Sequence, residues 1–171
     1  MNRLDEIIDN VWLGNYSAAE NIKDLKSKGI TKILSILGHD DDIFYKNEDA
    51  FIHKKYTNIE DLYNQNIIQY FGECLNFIKG NEKVLVHCRA GASRSATIVI
   101  AFVMWIKKMK FLDALGLTQK KRFIVCPNPG FKNQLKKFQK LLIKNNYNID
   151  KINFKEIKWD PKDEEIDIDS I

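Results

Sequence analysis

The chain of 171 residues is 44% hydrophobic and 29% charged, a composition that fits one globular domain and excludes the fibrous and disordered classes. Lysine and arginine exceed aspartate and glutamate by only 27 to 23, so the charge predicts no nucleic-acid partner. The longest apolar run, from Ala96 to Ile106, is far shorter than the ~20 residues that span a bilayer, so no membrane partner is expected.

The first predicted element is a helix over residues 18–28. Ser17 and Glu20 have the spacing of a capping box, and Gly29 stands where a left-handed residue would end the helix. The elements that follow alternate between strand and helix patterns. In chain order they are a strand over 30–37, a loop at Asp40–Asp42, a strand over 51–59, a helix over 67–78, a strand over 84–86, and helices over 95–108, 113–122 and 131–145, the last two separated by the breaker Pro127-Asn128-Pro129-Gly130.

This alternation predicts an α/β domain whose central, mostly parallel sheet is flanked by helices on both faces. The helix over 95–108 is almost wholly apolar, so it is expected to be buried all round. We assign the domain to residues 1–146 and treat 147–171 as an acidic C-terminal tail. In that tail Ile166 and Ile168 alternate with acidic residues, a pattern that fits an ordered edge strand and disorder equally well.

One segment, His87-Cys88-Arg89-Ala90-Gly91-Ala92-Ser93-Arg94-Ser95, lies between a buried strand and the start of the buried helix. A loop of small residues at that position can turn its backbone N–H groups inward and form an anion-binding nest. The positive end of the helix dipole adds to the same field. We therefore expect this loop to bind a phosphate group through the residues Arg89, Ala90, Gly91, Ala92, Ser93 and Arg94.

Cys88 and Arg94 are the reactive pair of this segment. Cys88 opens the loop, so the field that binds an anion would also favour its thiolate and give a nucleophile that needs no separate base. Arg94 offers a planar fork of donors to two phosphoryl oxygens, which lysine could not match. Ser95 can hydrogen-bond the sulfur and help it leave, and His87 is expected to orient the loop.

These residues resemble the signature of the dual-specificity branch of the protein tyrosine phosphatases, which is His-Cys, five residues, Arg, then Ser or Thr. The resemblance runs from about Asn2 to Lys140. Within it, Val11-Trp12-Leu13-Gly14 is similar to the family's early strand, residues 122–134 are similar to its Arg, Pro-Asn, Gly-Phe and Gln-Leu segment, and Gly116 lies in a stretch that the family keeps helical.

The resemblance implies a protein tyrosine phosphatase-like fold, with residues 1–146 as a dual-specificity phosphatase catalytic domain. It implies hydrolysis of phosphotyrosine and of phosphoserine or phosphothreonine in proteins, through a cysteinyl-phosphate and without a cofactor. Such a reaction also requires an acid that protonates the leaving oxygen, from a loop before the strand that carries Cys88. Glu60 and Asp61 are the candidates by position, and the resemblance places the acid at Asp61.

The other polar residues are interpreted as structural. Cys74 is assigned to core packing, and Cys126 is also interpreted as structural, although it could form a disulfide with Cys88 on oxidation. His39 and His53 show no partner pattern, and Asp40–Asp42 are interpreted as a solvated loop because no calcium-site spacing accompanies them. The sequence carries neither a zinc motif nor a Gly-Lys-Ser/Thr nucleotide loop, so no metal or cofactor is expected.

Two other functions stay open from the sequence. The fold could host hydrolysis of a phosphoinositide or another non-protein phosphate, although Arg89 alone adds charge inside a loop where a highly anionic lipid favours lysines. The second is a module that binds phosphoproteins without turnover, against which the presence of Cys88, Arg94 and Asp61 argues. Nothing in the sequence indicates an oligomeric state.

The cysteines and the N-terminus indicate the compartment. Three cysteines at unrelated spacings predict no disulfide framework and favour a reducing environment. The first residues, Met-Asn-Arg-Leu-Asp-Glu, lack the apolar core of a signal peptide, and Asn2 stands where myristoylation requires glycine. We therefore expect a soluble protein of the cytoplasm, with the nucleus as a second compartment.

Overall fold

A single five-stranded sheet organises the molecule in a computed structural model that describes residues 3–41 and 48–162. The strands are β1 (Leu4–Ile8), β2 (Val11–Gly14), β3 (Ile30–Ile36), β4 (Ile52–Tyr56) and β5 (Lys83–His87). Their order across the sheet is β1-β2-β5-β3-β4. β1 is antiparallel to β2, and all other pairs are parallel.

Helices cover both faces of this sheet. They are α1 (Tyr16–Glu20), α2 (Ile22–Ser27), α3 (Phe71–Ile78), α4 (Arg94–Ile106), α5 (Phe111–Lys121) and α6 (Pro129–Lys144). Alternate residues of a strand point to opposite faces; Leu34 of β3 packs in the large core with α3 to α6, whereas Ile33 packs with α1 and α2. The predicted α/β fold with a mostly parallel central sheet is confirmed, and α4 is buried from Arg94 to Met104.

The single helix predicted over 18–28 is wrong. The side chain of Asn15 accepts the backbone N–H of Ala18, and the side chain of Asn21 accepts that of Asp24. Each asparagine therefore begins its own short helix. Ser17 lies inside α1 and caps nothing, although Gly29 has the expected left-handed conformation, with a φ of 77°.

Other boundaries differ by a few residues from those predicted. The strand predicted over 51–59 is limited to β4, and α3 begins after a short 3-10 helix, Ile68–Tyr70. The predicted breaker contains the start of α6, because the side chain of Asn128 caps the helix and Pro129 is favoured in a first turn. β1 was not predicted, since Asp5 and Glu6 interrupt its apolar pattern.

Packing continues past residue 146. Two short 3-10 helices, Ile149–Lys151 and Phe154–Glu156, follow α6. Ile149 and Phe154 from these helices, and Ile152 between them, are buried in the large core. Ile166, Ile168 and the acidic residues around them lie outside the described residues, as does Asp42. In the two described segments no helix combines the length and the apolar character that crossing a bilayer requires.

Candidate active site

Three loops meet at one edge of the sheet, because the carboxyl ends of the parallel strands β3, β4 and β5 all point there. Loop 88–94 follows β5 and leads into α4, loop 38–41 follows β3, and loop 59–66 comes after β4. Ligands of α/β folds bind at this edge of a parallel sheet. The residues predicted to react are therefore brought together here.

The backbone of loop 88–94 is held from outside by donors on other parts of the chain. Four consecutive carbonyl oxygens each accept a hydrogen bond: Arg89 from the Tyr16 amide at 3.1 Å, Ala90 from Arg122 Nη2 at 3.2 Å, Gly91 from Arg122 Nε at 2.9 Å and Ala92 from the Cys126 amide at 2.8 Å. The carbonyl side of the loop is thus fixed toward the protein scaffold.

The amides of the same peptide groups point the other way, because C=O and N–H are antiparallel in a planar trans peptide. The N–H groups that follow these carbonyls therefore converge on the inner side of the loop, where the sulfur of Cys88 lies. Gly91 N donates to Cys88 Sγ at 3.3 Å, and Ser95 Oγ donates to the same sulfur at 3.0 Å. This is a nest for an anion with a thiol at its floor.

Gly91 is required by this geometry. Its φ is 69°, in the left-handed region that side chains disfavour. A Cβ there would also lie 2.5 Å from the Gly14 carbonyl oxygen and 2.9 Å from Arg122 Nη2. A side chain at this position would displace the guanidinium that anchors the loop.

Arg94 is the first residue of α4, and its side chain is nearly buried. The two edges of its guanidinium group differ in their hydrogen-bond partners. Its Nη1 donates to Asp41 Oδ2 at 2.6 Å and to the Ile59 carbonyl oxygen at 3.1 Å. Among the described residues, nothing accepts a hydrogen bond from its Nε or Nη2. The edge formed by these two atoms is left for two oxygens of an anion, the bidentate geometry that guanidinium favours.

The interpretation of Asp40–Asp42 as a solvated loop is wrong for Asp41. Its side chain is only 7% exposed, and Arg89 lies near its other oxygen, with Nη1 4.0 Å from Oδ1. Burial by itself would raise the pKa of Asp41, but hydrogen bonds from the Gly38 amide and the Arg94 guanidinium outweigh it and lower the pKa. Asp40 is exposed.

Asp61 lies beside loop 88–94 and is held by one oxygen. Its Oδ1 accepts Ser93 Oγ at 2.7 Å and Asn128 Nδ2 at 3.0 Å. Oδ2 accepts no hydrogen bond from any residue of the described segments, so it can carry a proton. The structure thus connects Asp61 to the loop through Ser93, whereas Glu60 turns away and accepts the His39 amide with Oε1.

His87 supports the loop through a buried polar chain. Its Nδ1 lies 3.0 Å from the Cys88 carbonyl oxygen, which can only accept, so Nδ1 carries the proton. Burial lowers the pKa of His87 to about 4, so the ring is neutral and Nε2 accepts from Ser35 Oγ at 2.6 Å. Ser35 Oγ in turn lies 2.7 Å from His53 Nε2. The interpretation of His53 as a residue without partners is therefore wrong.

The remaining cysteines differ in environment. Cys74 is fully buried in the core, and burial raises the pKa of its thiol to about 12. Cys126 is exposed, and its backbone amide donates to the Ala92 carbonyl oxygen of loop 88–94. No cluster of three or more His, Cys, Asp or Glu within the described residues is placed to hold a metal ion.

Sequence reasoning missed three residues that build the site. Arg122 is 3% exposed, grips the carbonyls of loop 88–94 and pairs with Asp5 at 2.9 Å. Asn128 holds both Asp61 and, through its amide, Ser93 Oγ. Both belong to the stretch that resembles the family, so a signal existed for them. Nothing in the sequence indicated Asp41, because its contact with Arg94 depends on the tertiary fold.

Comparisons with known proteins agree with this geometry. The family model of the dual specificity phosphatase catalytic domain matches residues 11–141. MAP kinase phosphatase with leucine-rich repeats protein 1 of Dictyostelium discoideum is 44% identical over 143 residues, 82% of this chain and 16% of that protein. Dual specificity protein phosphatase 19 of Mus musculus is 39% identical over 134 residues, 74% of this chain and 58% of that protein.

A solved structure shows the same fold at similar identity. The human tyrosine phosphatase-like serine/threonine/tyrosine-interacting protein superposes with a TM-score of 0.77 at 34% identity, covering 83% of this chain and 99% of that chain. The fold, the geometry of loop 88–94 and the family match together place the chain in the class of cysteine-based phosphatases. The chain belongs to the family of dual-specificity phosphatase catalytic domains. It spans only 16% and 17% of the length of the first two relatives.

Proposed function

We propose that this protein hydrolyses phosphotyrosine and phosphoserine or phosphothreonine in phosphorylated proteins, through a cysteinyl-phosphate. The observation that carries the proposal is the anchoring of four consecutive carbonyls, which turns the amides of loop 88–94 toward the sulfur of Cys88. Preorganised donors of this kind stabilise the charge that develops on transferring phosphoryl oxygens. The relatives named as MAP kinase phosphatases support a protein substrate.

In the first step Cys88 Sγ attacks phosphorus, so the S–P bond forms and the bond to the leaving oxygen breaks. Asp61 delivers the proton from Oδ2 to that oxygen. Arg94 binds two phosphoryl oxygens with Nε and Nη2, while its Nη1 stays on Asp41. The loop amides bind the same phosphoryl group, which spreads its charge over several donors.

In the second step water attacks phosphorus and Asp61, now a carboxylate, takes the proton from that water. The S–P bond breaks, inorganic phosphate leaves and the sulfur departs as a thiolate. The hydroxyl of Ser95 and the amide of Gly91 already donate to this sulfur, so they stabilise its negative charge as it leaves. The cycle consumes one water and returns the enzyme unchanged.

The first prediction concerns the nucleophile. Cys88→Ser should abolish release of phosphate from an aryl phosphate and from a doubly phosphorylated peptide, because a hydroxyl there remains protonated and is a poor nucleophile. Thermal unfolding should be nearly unchanged. Cys126→Ser is the matched control, since this cysteine is exposed, and it should retain activity.

The substrate class is tested by the same assay. The protein-substrate proposal requires turnover of phosphotyrosine and phosphothreonine peptides by the unaltered protein. Turnover of phosphoinositides alone would replace it with a lipid phosphatase. An inactive protein that still binds a phosphopeptide would favour a binding module.

A further inference from the structure

The C-terminal segment 149–159, here called the brace, lies against loop 59–66, which carries Asp61. The family model ends at residue 141, so the brace lies beyond the matched residues. It is firmly attached to the domain: Phe154 is 6% exposed, and a Cβ on Gly72 of α3 would lie 2.7 Å from its ring. Lys155 also pairs with Glu73 of α3 at 3.3 Å.

Two hydrogen bonds connect the brace to loop 59–66. Asn66 Nδ2 donates to the Ile157 carbonyl oxygen at 2.8 Å. Trp159 donates its indole Nε1–H to the Tyr63 carbonyl oxygen at 3.1 Å. One contact is therefore at the end of the loop and the other at its tip, two residues from Asp61.

The tip of loop 59–66 has three other contacts. The Asp61 carboxylate accepts hydrogen bonds from Ser93 and Asn128, Gln65 N donates to the Leu62 carbonyl oxygen, and the Tyr63 carbonyl lies against Gly130 of α6. Leu62 and Tyr63 are 54% and 60% exposed, so their side chains add few packing contacts. The two ends of the loop are fixed from the domain, since Ile59 N donates to the Leu37 carbonyl oxygen and Gln134 Nε2 donates to that of Gln65. Between these ends, the indole of Trp159 fixes the backbone just after Asp61.

We infer that the brace positions Asp61 for proton transfer, with Trp159 as its positioning residue. The inference rests on the proposed role of Asp61 as the general acid. Proton transfer needs hydrogen-bond geometry within a few tenths of an ångström, and a loop tip without its anchor samples a wider range of positions. Loss of the anchor should therefore weaken leaving-group protonation and leave phosphate binding by loop 88–94 intact.

The test compares two substrates that differ in their need for the proton. The leaving group of phenyl phosphate is a strong base that must be protonated, whereas 4-nitrophenolate leaves without much help. In the full chain, Trp159→Phe keeps an aromatic ring but removes the donor. We expect kcat/KM for phenyl phosphate, which reports the first step alone, to fall about fivefold, the equivalent of one lost hydrogen bond. The kcat/KM for 4-nitrophenyl phosphate should change much less. Trp159→Ala should enlarge the difference.

Trp105→Phe is the matched control. Trp105 also donates its indole N–H to a backbone carbonyl, that of Tyr147 at 3.0 Å, but far along the chain from loop 59–66. This variant should leave the ratio of kcat/KM for phenyl phosphate to kcat/KM for 4-nitrophenyl phosphate unchanged. Equal losses of kcat/KM on both substrates in the Trp159 variants, or no loss, would show that the brace has only a structural role and would overturn the inference.

Asp61→Asn separates failure of the inference from failure of the proposed function. It should lower kcat/KM for phenyl phosphate far more than kcat/KM for 4-nitrophenyl phosphate. If Asp61→Asn shows this selectivity and Trp159→Phe does not, Asp61 is the acid but the brace does not position it. If Asp61→Asn shows no such selectivity, Asp61 is not the acid and the brace inference falls with it.

Discussion

Buried polar residues surround Cys88, and each has a specific partner. His87 and Ser35 are fully buried, and Arg122 is 3% exposed. A buried polar group that loses its partner costs about 1–3 kcal/mol. Replacing one of them leaves its partner unsatisfied, which makes the surroundings of Cys88 sensitive to mutation well beyond the residues that touch a substrate.

His87 gives the protein a stability that depends on pH. Its pKa in the folded state, about 4, is below the ordinary 6.5, so between these values the unfolded chain binds the additional proton. The neutral ring therefore makes its full contribution to the free energy of unfolding above about pH 6.5. As the pH falls from there to about 4, this contribution decreases by up to roughly 1.4 kcal/mol per pH unit. In His87→Asn, the free energy of unfolding should depend less on pH in this range.

Urea denaturation of both proteins across this pH range measures the difference in slope. His39→Asn is the control, because His39 is exposed, and its slope should match that of the unaltered chain. Identical slopes for His87→Asn and the unaltered chain would contradict the assignment of a neutral, buried His87.

Cys88, Arg94 and Ser95 could be predicted from the sequence because they are close together along the chain. All three belong to one short segment between β5 and the first turn of α4. Asp41, Arg122 and His53 could not be predicted in the same way. Their partners are 53, 31 and 18 residues away, and only the tertiary fold brings them together.

At the scale of elements, helix boundaries were predictable where they depend on apolar spacing and less so where they depend on caps. α4 ends within two residues of its prediction. Asparagines begin α1, α2 and α6, and asparagine is equally common in turns. A cap and a turn are therefore hard to distinguish before the neighbouring backbone is known.

Two glycines in helices should respond oppositely to alanine. A Cβ on Gly130, in the first turn of α6, would overlap the Tyr63 carbonyl oxygen, whereas a Cβ on Gly116 in α5 meets nothing within 4 Å. Gly130→Ala should therefore destabilise the protein by about 1–3 kcal/mol and slow turnover by displacing loop 59–66. Gly116→Ala should stabilise it by up to about 1 kcal/mol.

Thermal unfolding and initial rates on an aryl phosphate measure both variants. Gly116→Ala serves as the control for activity, because Gly116 is exposed and the added Cβ contacts no other residue. A Gly130→Ala protein as stable and as active as the unaltered chain would show that α6 and loop 59–66 can separate without cost.

For the whole molecule, strand and helix alternation was enough to predict the fold class but not the packing of the residues that follow 146. Residues 149–157 have no helix longer than a single 3-10 turn, so their apolar residues show no readable period. Their role becomes clear only from the groove that α3 and α6 form, where Phe154 lies 5.9 Å from the Phe138 ring.

Ending the chain at Asn146 should therefore destabilise the protein. The shortened chain loses the buried side chains of Ile149, Ile152 and Phe154, each of which contributes about 1.5–3 kcal/mol on burial. Urea denaturation should show a loss of roughly 5 kcal/mol, and Phe154→Ala in the full chain should show roughly half of it. Equal stability of the shortened and full chains would place the end of the domain at residue 146.

The two sides of the sheet are unequally covered. α1 and α2 have five and six residues and enclose a small apolar cluster around Leu25, whereas the opposite face carries the long buried α4. Local opening follows the least packed part of a structure, so deuterium should enter the amides of α1 and α2 first. Tyr16 lies in α1 and its amide donates to the Arg89 carbonyl oxygen, so each such opening transiently frees one side of loop 88–94.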